Sequence, residues 1–179
     1  MRNVFSGLLG LAVAGAICVF AGPARSEPIV IAAIGDSNIA GRGVSPSESY
    51  PVKLERALRA KGYDVRVINS GISGDSTQGV LSRLDSAAPQ GTRIAIVWVG
   101  VNDLRGGVSP ATVEAGRQAI AGRLRARGIK VLLLGPRHGM GGDPQFIVGD
   151  AQKHLNAAGY DQMVARTLPQ VEALIGKRR

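Results

Sequence analysis

The chain has 179 residues, 45% hydrophobic and 20% charged, which are the proportions of one globular domain and not of a disordered segment. Its formal charge is +9, with the basic residues scattered except in the terminal "KRR" and with no aromatic residues interleaved among them. That pattern argues against nucleic acid as a partner and leaves open a weak contact with a membrane surface or polyanion.

Residues 1–26 have the pattern of a secretory signal peptide. Arg2 opens the segment, "LLGLAVAGAICVF" (8–20) is its apolar stretch, and Pro23 breaks it. Ala24 and Ser26 stand at the −3 and −1 positions of a cleavage site after Ser26. An uncleaved membrane anchor is the competing reading, and the glycines and Pro23 oppose it. Ile17, not a small residue, precedes Cys18, so lipoprotein processing is disfavoured. Cys18 is the one cysteine, and it leaves with the segment. The mature chain, 27–179, then has no disulfide, cysteine nucleophile or thiolate metal site. Without Arg2 and Arg25 it carries 20 basic residues against 13 acidic, or +7. The expected product is periplasmic or secreted.

After this segment, apolar runs alternate with amphipathic ones. "IVIAAI" (29–34) predicts a buried strand. "YPVKLERALRAKG" (50–62) predicts a helix with Val52, Leu54, Ala57 and Leu58 near one face and a glycine after its end. "DVRVIN" (64–69) is a second strand, and "TQGVLSRLDSA" (77–87) a helix with Val80, Leu81 and Leu84 inward. "RIAIVWVG" (93–100) is apolar throughout, as a central parallel strand should be. Residues 109–128 form a helix with Ser109 as N-cap, Pro110 at its first position and Gly128 past its end. "IKVLLLG" (129–135) is a fourth strand. Residues 136–153 are rich in Gly and Pro and read as loop, with "FIV" (146–148) as a stub of strand. The last helix runs from about Ala157 to Ile175. This alternation predicts an α/β fold with a parallel sheet covered by helices on both faces.

In such a sheet ligands sit beyond the carboxyl ends of the strands. The four ends here carry Gly35-Asp36-Ser37-Asn38, "NSGISGDST" (69–77), Gly100-Val101-Asn102-Asp103 and "GPRHG" (135–139). A serine becomes a nucleophile only beside a base, and His138 and His154 are the two histidines available. His154 lies just before the last helix, with Asp150 near enough in sequence to orient its ring. Backbone N–H groups of the loop 71–75 and the amide of Asn102 are suitable donors for an oxyanion. Asp36 reads as a tie to nearby turn N–H groups, Asp75 and Asp103 as loop ties, Trp98 as core, and Tyr50 and Tyr160 as packing at helix starts. His138 reads equally as a cleft residue or a solvated loop residue.

Four blocks, "GDSN" (35–38), "NSGISGDST" (69–77), "GVND" (100–103) and "HLNAAGY" (154–160), resemble those of the SGNH (GDSL-type) hydrolases, in the same order and across most of the mature chain. The second block looks most like that of the bacterial periplasmic thioesterase/lysophospholipase members. The resemblance implies a three-layer α/β/α sandwich of the flavodoxin-like type, no metal and no cofactor. It implies Ser37 as nucleophile, His154 as general base, and an oxyanion hole made by the Ser37 N–H, the Gly74 N–H and the Asn102 side chain.

Two departures stand out. The family places its acid three residues before the histidine, where this chain has Ala151; Asp150 lies four before, as if Lys153 were inserted. A bulged loop would bring Asp150 to His154, and otherwise the site is a Ser–His dyad. Residues 136–153 are also too short for the family's usual extra helix and fifth strand, so about four main strands, a smaller lid and a more open cleft are expected. The resulting expectation is a monomeric serine esterase for small-molecule, lipid or glycan esters, including short-chain acyl, lysophospholipid or thioester substrates. The rival is a catalytically silent binding protein on the same fold that recognises acylated glycan or lipid.

Overall fold

The computed structural model describes residues 27–135, 144–150 and 154–176. The signal segment, His138, Ala151, Lys153 and most of the expected lid lie outside the described residues. Four strands form one wholly parallel sheet: β1 (Ile29–Gly35), β2 (Val65–Gly71), β3 (Thr92–Trp98) and β4 (Lys130–Leu133), in the order β2-β1-β3-β4.

Period-two alternation sorts the strand side chains onto two faces. Ile31 and Ala33 of β1, with Ile94, Ile96 and Trp98 of β3, pack against α2 (Tyr50–Ala60) and α7 (Ala157–Ile175). Ala32 and Ile34, with Ala95 and Val97, pack against α3 (Thr77–Ser82), α4 (Leu84–Ala87) and α6 (Pro110–Ala126). Because both faces are covered, the central strands are apolar at nearly every position. The outcome is the expected α/β/α sandwich with four strands.

Three local expectations change. The segment 77–87 is two short helices, because Arg83 leaves helical geometry (φ −115°, ψ 18°) and sends its side chain back beneath the loop that precedes α3. Val52 is 39% exposed and does not join the inner face of α2. Tyr50, Leu54 and Leu58 stack on that face four residues apart, and position 52 is turned about 200° from position 50. The "FIV" segment is a short 3₁₀ turn, Pro144–Phe146, followed by one antiparallel bridge between Ile147 and Leu155.

Two single-turn helices, α1 (Ser37–Ala40) and α5 (Val101–Arg105), start directly at the ends of β1 and β3. The strand order reverses between these neighbours, since β1 connects outward to β2 and the chain returns to β3. That is where a doubly wound sheet opens its ligand crevice.

Candidate active site

Ser37 is the first residue of α1, and the turn that holds it is tightly built. Gly35 ends β1 against the carbonyl of Trp98, where a Cβ would stand 2.0 Å from that oxygen, so only glycine permits this approach. The Asp36 N–H donates to the Trp98 carbonyl (3.4 Å). The Asp36 carboxylate caps α1 by accepting from the Asn38 N–H (3.0 Å) and the Asn38 amide (3.2 Å). As the first helical residue, Ser37 has no intrahelical acceptor for its own N–H.

His154 approaches from the other end of the chain. Its Nε2 lies 2.9 Å from the Ser37 Oγ. Its Nδ1 is hydrogen-bonded to the Asp150 Oδ2. The other carboxylate oxygen of Asp150 accepts the His154 backbone N–H (3.0 Å), so one carboxylate fixes both the ring and the backbone that carries it. Asp150 therefore reaches His154 from four residues before it. His154 is buried, with 1% of its side chain exposed, whereas Asp150 is 36% exposed. Behind the histidine, the Val148 N–H donates to the His154 carbonyl (2.8 Å) and the Asn156 N–H to the Phe146 carbonyl (3.1 Å). Asn156 caps α7 by accepting from the Gly159 N–H (2.9 Å).

The third wall is the loop between β2 and α3. Gly74 has φ +85°, a left-handed conformation that favours glycine, and open space where a Cβ would stand. Asn102, on α5, donates one amide hydrogen to the Asp75 carbonyl (2.9 Å), which leaves its second hydrogen for another acceptor. Asp103 is buried and accepts from the Thr77 N–H (3.0 Å) and the Thr77 hydroxyl (2.7 Å), binding α5 to α3. The Asp75 carboxylate accepts from the Ser76 N–H (3.0 Å) and from Arg83. Asp36, Asp75 and Asp103 thus have the tying contacts expected of them. Trp98 is fully buried, with its ring edge-on to Tyr50 at 6.4 Å.

Asp36 is the electrostatic exception. Burial pushes its carboxyl up to about 6, opposed by the hydrogen bonds from Asn38 and by the charges of Arg105 and His154. Its Oδ2 is buried with no hydrogen-bond partner among the described residues. Among the described residues no three His, Cys, Asp or Glu side chains gather into a group able to hold a metal ion.

The residues that sequence reasoning overlooked are Arg83 and Thr77. Arg83 lies in a segment read for its apolar stripe, and Thr77 ends the block 69–77 without being given a role of its own. The clue to Arg83 was an arginine interrupting that stripe eight positions after an aspartate.

Chemically, the arrangement is a hydroxyl hydrogen-bonded to an imidazole, an imidazole held by a carboxylate, and a neighbouring loop tied to α5 through Asn102. The model of the GDSL-like lipase/acylhydrolase family matches residues 33–167. The esterase TesA of Pseudomonas aeruginosa is 38% identical over 103 residues, 57% of this chain and 51% of its own. An arylesterase of Vibrio mimicus is 31% identical over 118 residues, 65% of this chain and 58% of its own. The chain thus spans only about half to three fifths of these two relatives. Among solved structures, AlinE4, an SGNH-hydrolase family esterase, superposes with a TM-score of 0.65 at 32% identity, covering 86% of this chain and 100% of that one.

Proposed function

Because this chain belongs to the GDSL-like lipase/acylhydrolase family, we propose that it hydrolyses carboxylic esters with Ser37 as nucleophile, His154 as general base and Asp150 as the acid that orients it. The observation that carries this reading is the line of hydrogen bonds from the Ser37 Oγ through His154 to Asp150.

The Ser37 oxygen attacks the acyl carbonyl carbon while His154 Nε2 takes the hydroxyl proton. The carbonyl oxygen becomes an oxyanion, stabilised by the N–H groups of Ser37 and Gly74 and the second amide hydrogen of Asn102. Collapse of this intermediate breaks the C–O bond of the ester, and the imidazolium returns the proton to the departing alkoxide. Water then attacks the acyl-serine carbonyl, giving a proton to His154. The second intermediate expels the Ser37 oxygen, which regains that proton. Asp150 accepts the Nδ1–H throughout, selecting the tautomer with a free Nε2 and offsetting the transient positive charge.

The substrates proposed are small-molecule esters, with short acyl chains, lysophospholipids and thioesters as the classes to compare. A periplasmic or secreted location, after removal of residues 1–26, accompanies this reading. Among the described residues no helix is long and apolar enough to cross a membrane. The silent-binder alternative drew on the displaced acid and the missing strand; the contact of Asp150 with His154 speaks against the first, while the four-stranded sheet leaves the second in place.

The test is hydrolysis of 4-nitrophenyl acetate, butyrate and octanoate by the mature protein beside Ser37→Ala. Turnover that vanishes in the variant is the expected result, and the acyl preference then narrows the substrate. Equal rates for the two proteins on every ester would refute the reading.

A further inference from the structure

Arg83 stands outside the Ser37–His154–Asp150 line, yet it touches the nucleophile turn and the β2–α3 loop, and through Asp75 it is one bond removed from Asn102. Its Nε donates to the Asp75 Oδ2 (2.8 Å), and its Nη2 lies 2.7 Å from the same oxygen. The same Nη2 donates to the carbonyl of Ser70 (3.0 Å) and to the carbonyl of Gly35 (3.3 Å). These acceptors belong to two separate pieces of chain, the end of β1 and the segment 70–75. Gly35 lies two residues before Ser37, Ser70 is at the end of β2, and Asp75 follows Gly74. The Asp75 carbonyl is the acceptor for the Asn102 amide. The Gly35 carbonyl also accepts the Ile72 N–H (3.0 Å), joining the nucleophile turn to the loop.

The contact is built with little room to move. Asp75 is 9% exposed and Arg83 19%. A Cβ on Gly79 would stand 1.9 Å from the Asp75 Oδ1, so the missing side chain lets the carboxylate lie against α3. The helix break at Arg83 is what turns the guanidinium under the loop. A planar guanidinium can serve several acceptors in fixed directions, whereas an ammonium serves them as a mobile point charge.

We propose that Arg83 is a positioning residue for catalysis: through Gly35, Ser70 and Asp75 it sets the distance between the Ser37 N–H, the Gly74 N–H and the Asn102 amide. This rests on the ester-hydrolase reading above. Arg83 does not meet the substrate. It fixes the frame in which three donors converge, and misplacing such donors lowers the rate of the chemical step more than it weakens substrate binding.

The experiment compares the mature protein with Arg83→Met, Arg83→Lys and Ser37→Ala. It measures kcat and KM on 4-nitrophenyl butyrate, inhibition by n-butylboronic acid and thermal melting. The boronate forms a tetrahedral adduct with a serine oxygen and needs the oxyanion donors, so it reports their placement without turnover. For Arg83→Met the expectation is a loss of roughly ten- to hundred-fold in kcat, with KM within about threefold and boronate affinity weakened in proportion to kcat. Arg83→Lys should fall between that variant and the parent.

A folded Arg83→Met protein that melts lower but keeps kcat and boronate affinity within about twofold overturns the assignment, because the arginine is then only a staple. A loss of kcat with unchanged boronate affinity overturns it as well. If Arg83→Met does not fold, Arg83→Lys decides on the same two measurements. Turnover that survives Ser37→Ala would sink the ester-hydrolase reading and this assignment with it, whereas the outcomes above sink the Arg83 role alone.

Discussion

The two flanks of Ser37 are held in different ways. On the flank proposed to hold the oxyanion, side chains bridge distant parts of the chain: Asp103 to Thr77, Asn102 to Asp75, and Arg83 to Gly35. Most of these groups are buried or nearly so. On the histidine flank, the decisive contact is local, between Asp150 and a histidine four residues later, and its carboxylate is one-third exposed. The chemistry proposed for the two flanks differs in the same sense. Oxyanion donors act in parallel, so each supplies a share of the stabilisation. The base and its acid act in series with the nucleophile, so each is required for the others to count.

The sharpest test of that contrast is also the largest effect. His154→Ala should lower kcat by about 10⁴-fold or more on 4-nitrophenyl butyrate, and Asp150→Asn added to it should lower kcat no further. Single-turnover rates of the two variants check this, and a second large drop in the double variant would break the series picture. Asp150→Asn alone should cost about 10³- to 10⁴-fold, through the wrong imidazole tautomer, with folding intact. An asparagine carbonyl can still accept the His154 N–H, so circular dichroism should match the parent.

On the other flank the expected losses are smaller. Asn102→Ala should lower kcat by about 10²-fold with little change in KM, because two backbone N–H donors remain. Its effect should multiply with that of Asp150→Asn instead of vanishing into it. Thr77→Val removes the hydroxyl that Asp103 accepts at 2.7 Å while keeping the shape of the side chain. The unfolding free energy should fall by about 1–3 kcal/mol, measured by urea denaturation. An unchanged midpoint would mean that the Asp103 carboxylate finds another donor.

The contrast between the flanks also decides what could be read from sequence. The four strands and the last helix were legible because each has a continuous apolar period, and Ser37 and His154 because each follows a strand end or precedes a helix. The Asp150 contact was half legible. Spacing put an alanine where the family has its acid, and only the folded loop shows that a carboxylate four residues away can accept from both the ring and the backbone of His154. The oxyanion flank was legible as residue types and not as a network. A bond from Arg83 to Gly35 spans 48 positions and requires a helix to break, and the arginine that interrupts the apolar stripe does not say which distant carbonyl it meets. Val52 shows the same limit at smaller scale, since apolar type alone did not say which way the first turn of α2 faces.

The smallest expected effect concerns Asp36, which stands between the flanks. Its carboxyl is pushed up to about 6 from the ordinary 3.8, chiefly by burial. A carboxyl raised in this way binds its proton more tightly in the folded state than in the unfolded one. Its contribution to stability is therefore full below about pH 4 and is lost as pH rises through about 6. Above that, the fold carries a buried anion with one oxygen lacking a partner among the described residues. The shift corresponds to a ceiling of about 3 kcal/mol. Asp36→Asn keeps an acceptor for the Asn38 N–H and removes the charge, but it buries an amide group in its place. The variant should match the parent near pH 4 and gain about 1–2 kcal/mol over it above pH 6.5, in urea denaturation across that range. The same substitution takes away a negative charge that interacts with His154 across the site, so kcat at neutral pH should fall severalfold while stability rises. A variant more stable and slower at pH 7 would mark Asp36 as a charge kept near the base at the expense of the fold. Equal stability at every pH would mean that the buried carboxyl is already neutral or solvated, and that the two flanks meet at Ser37 without it.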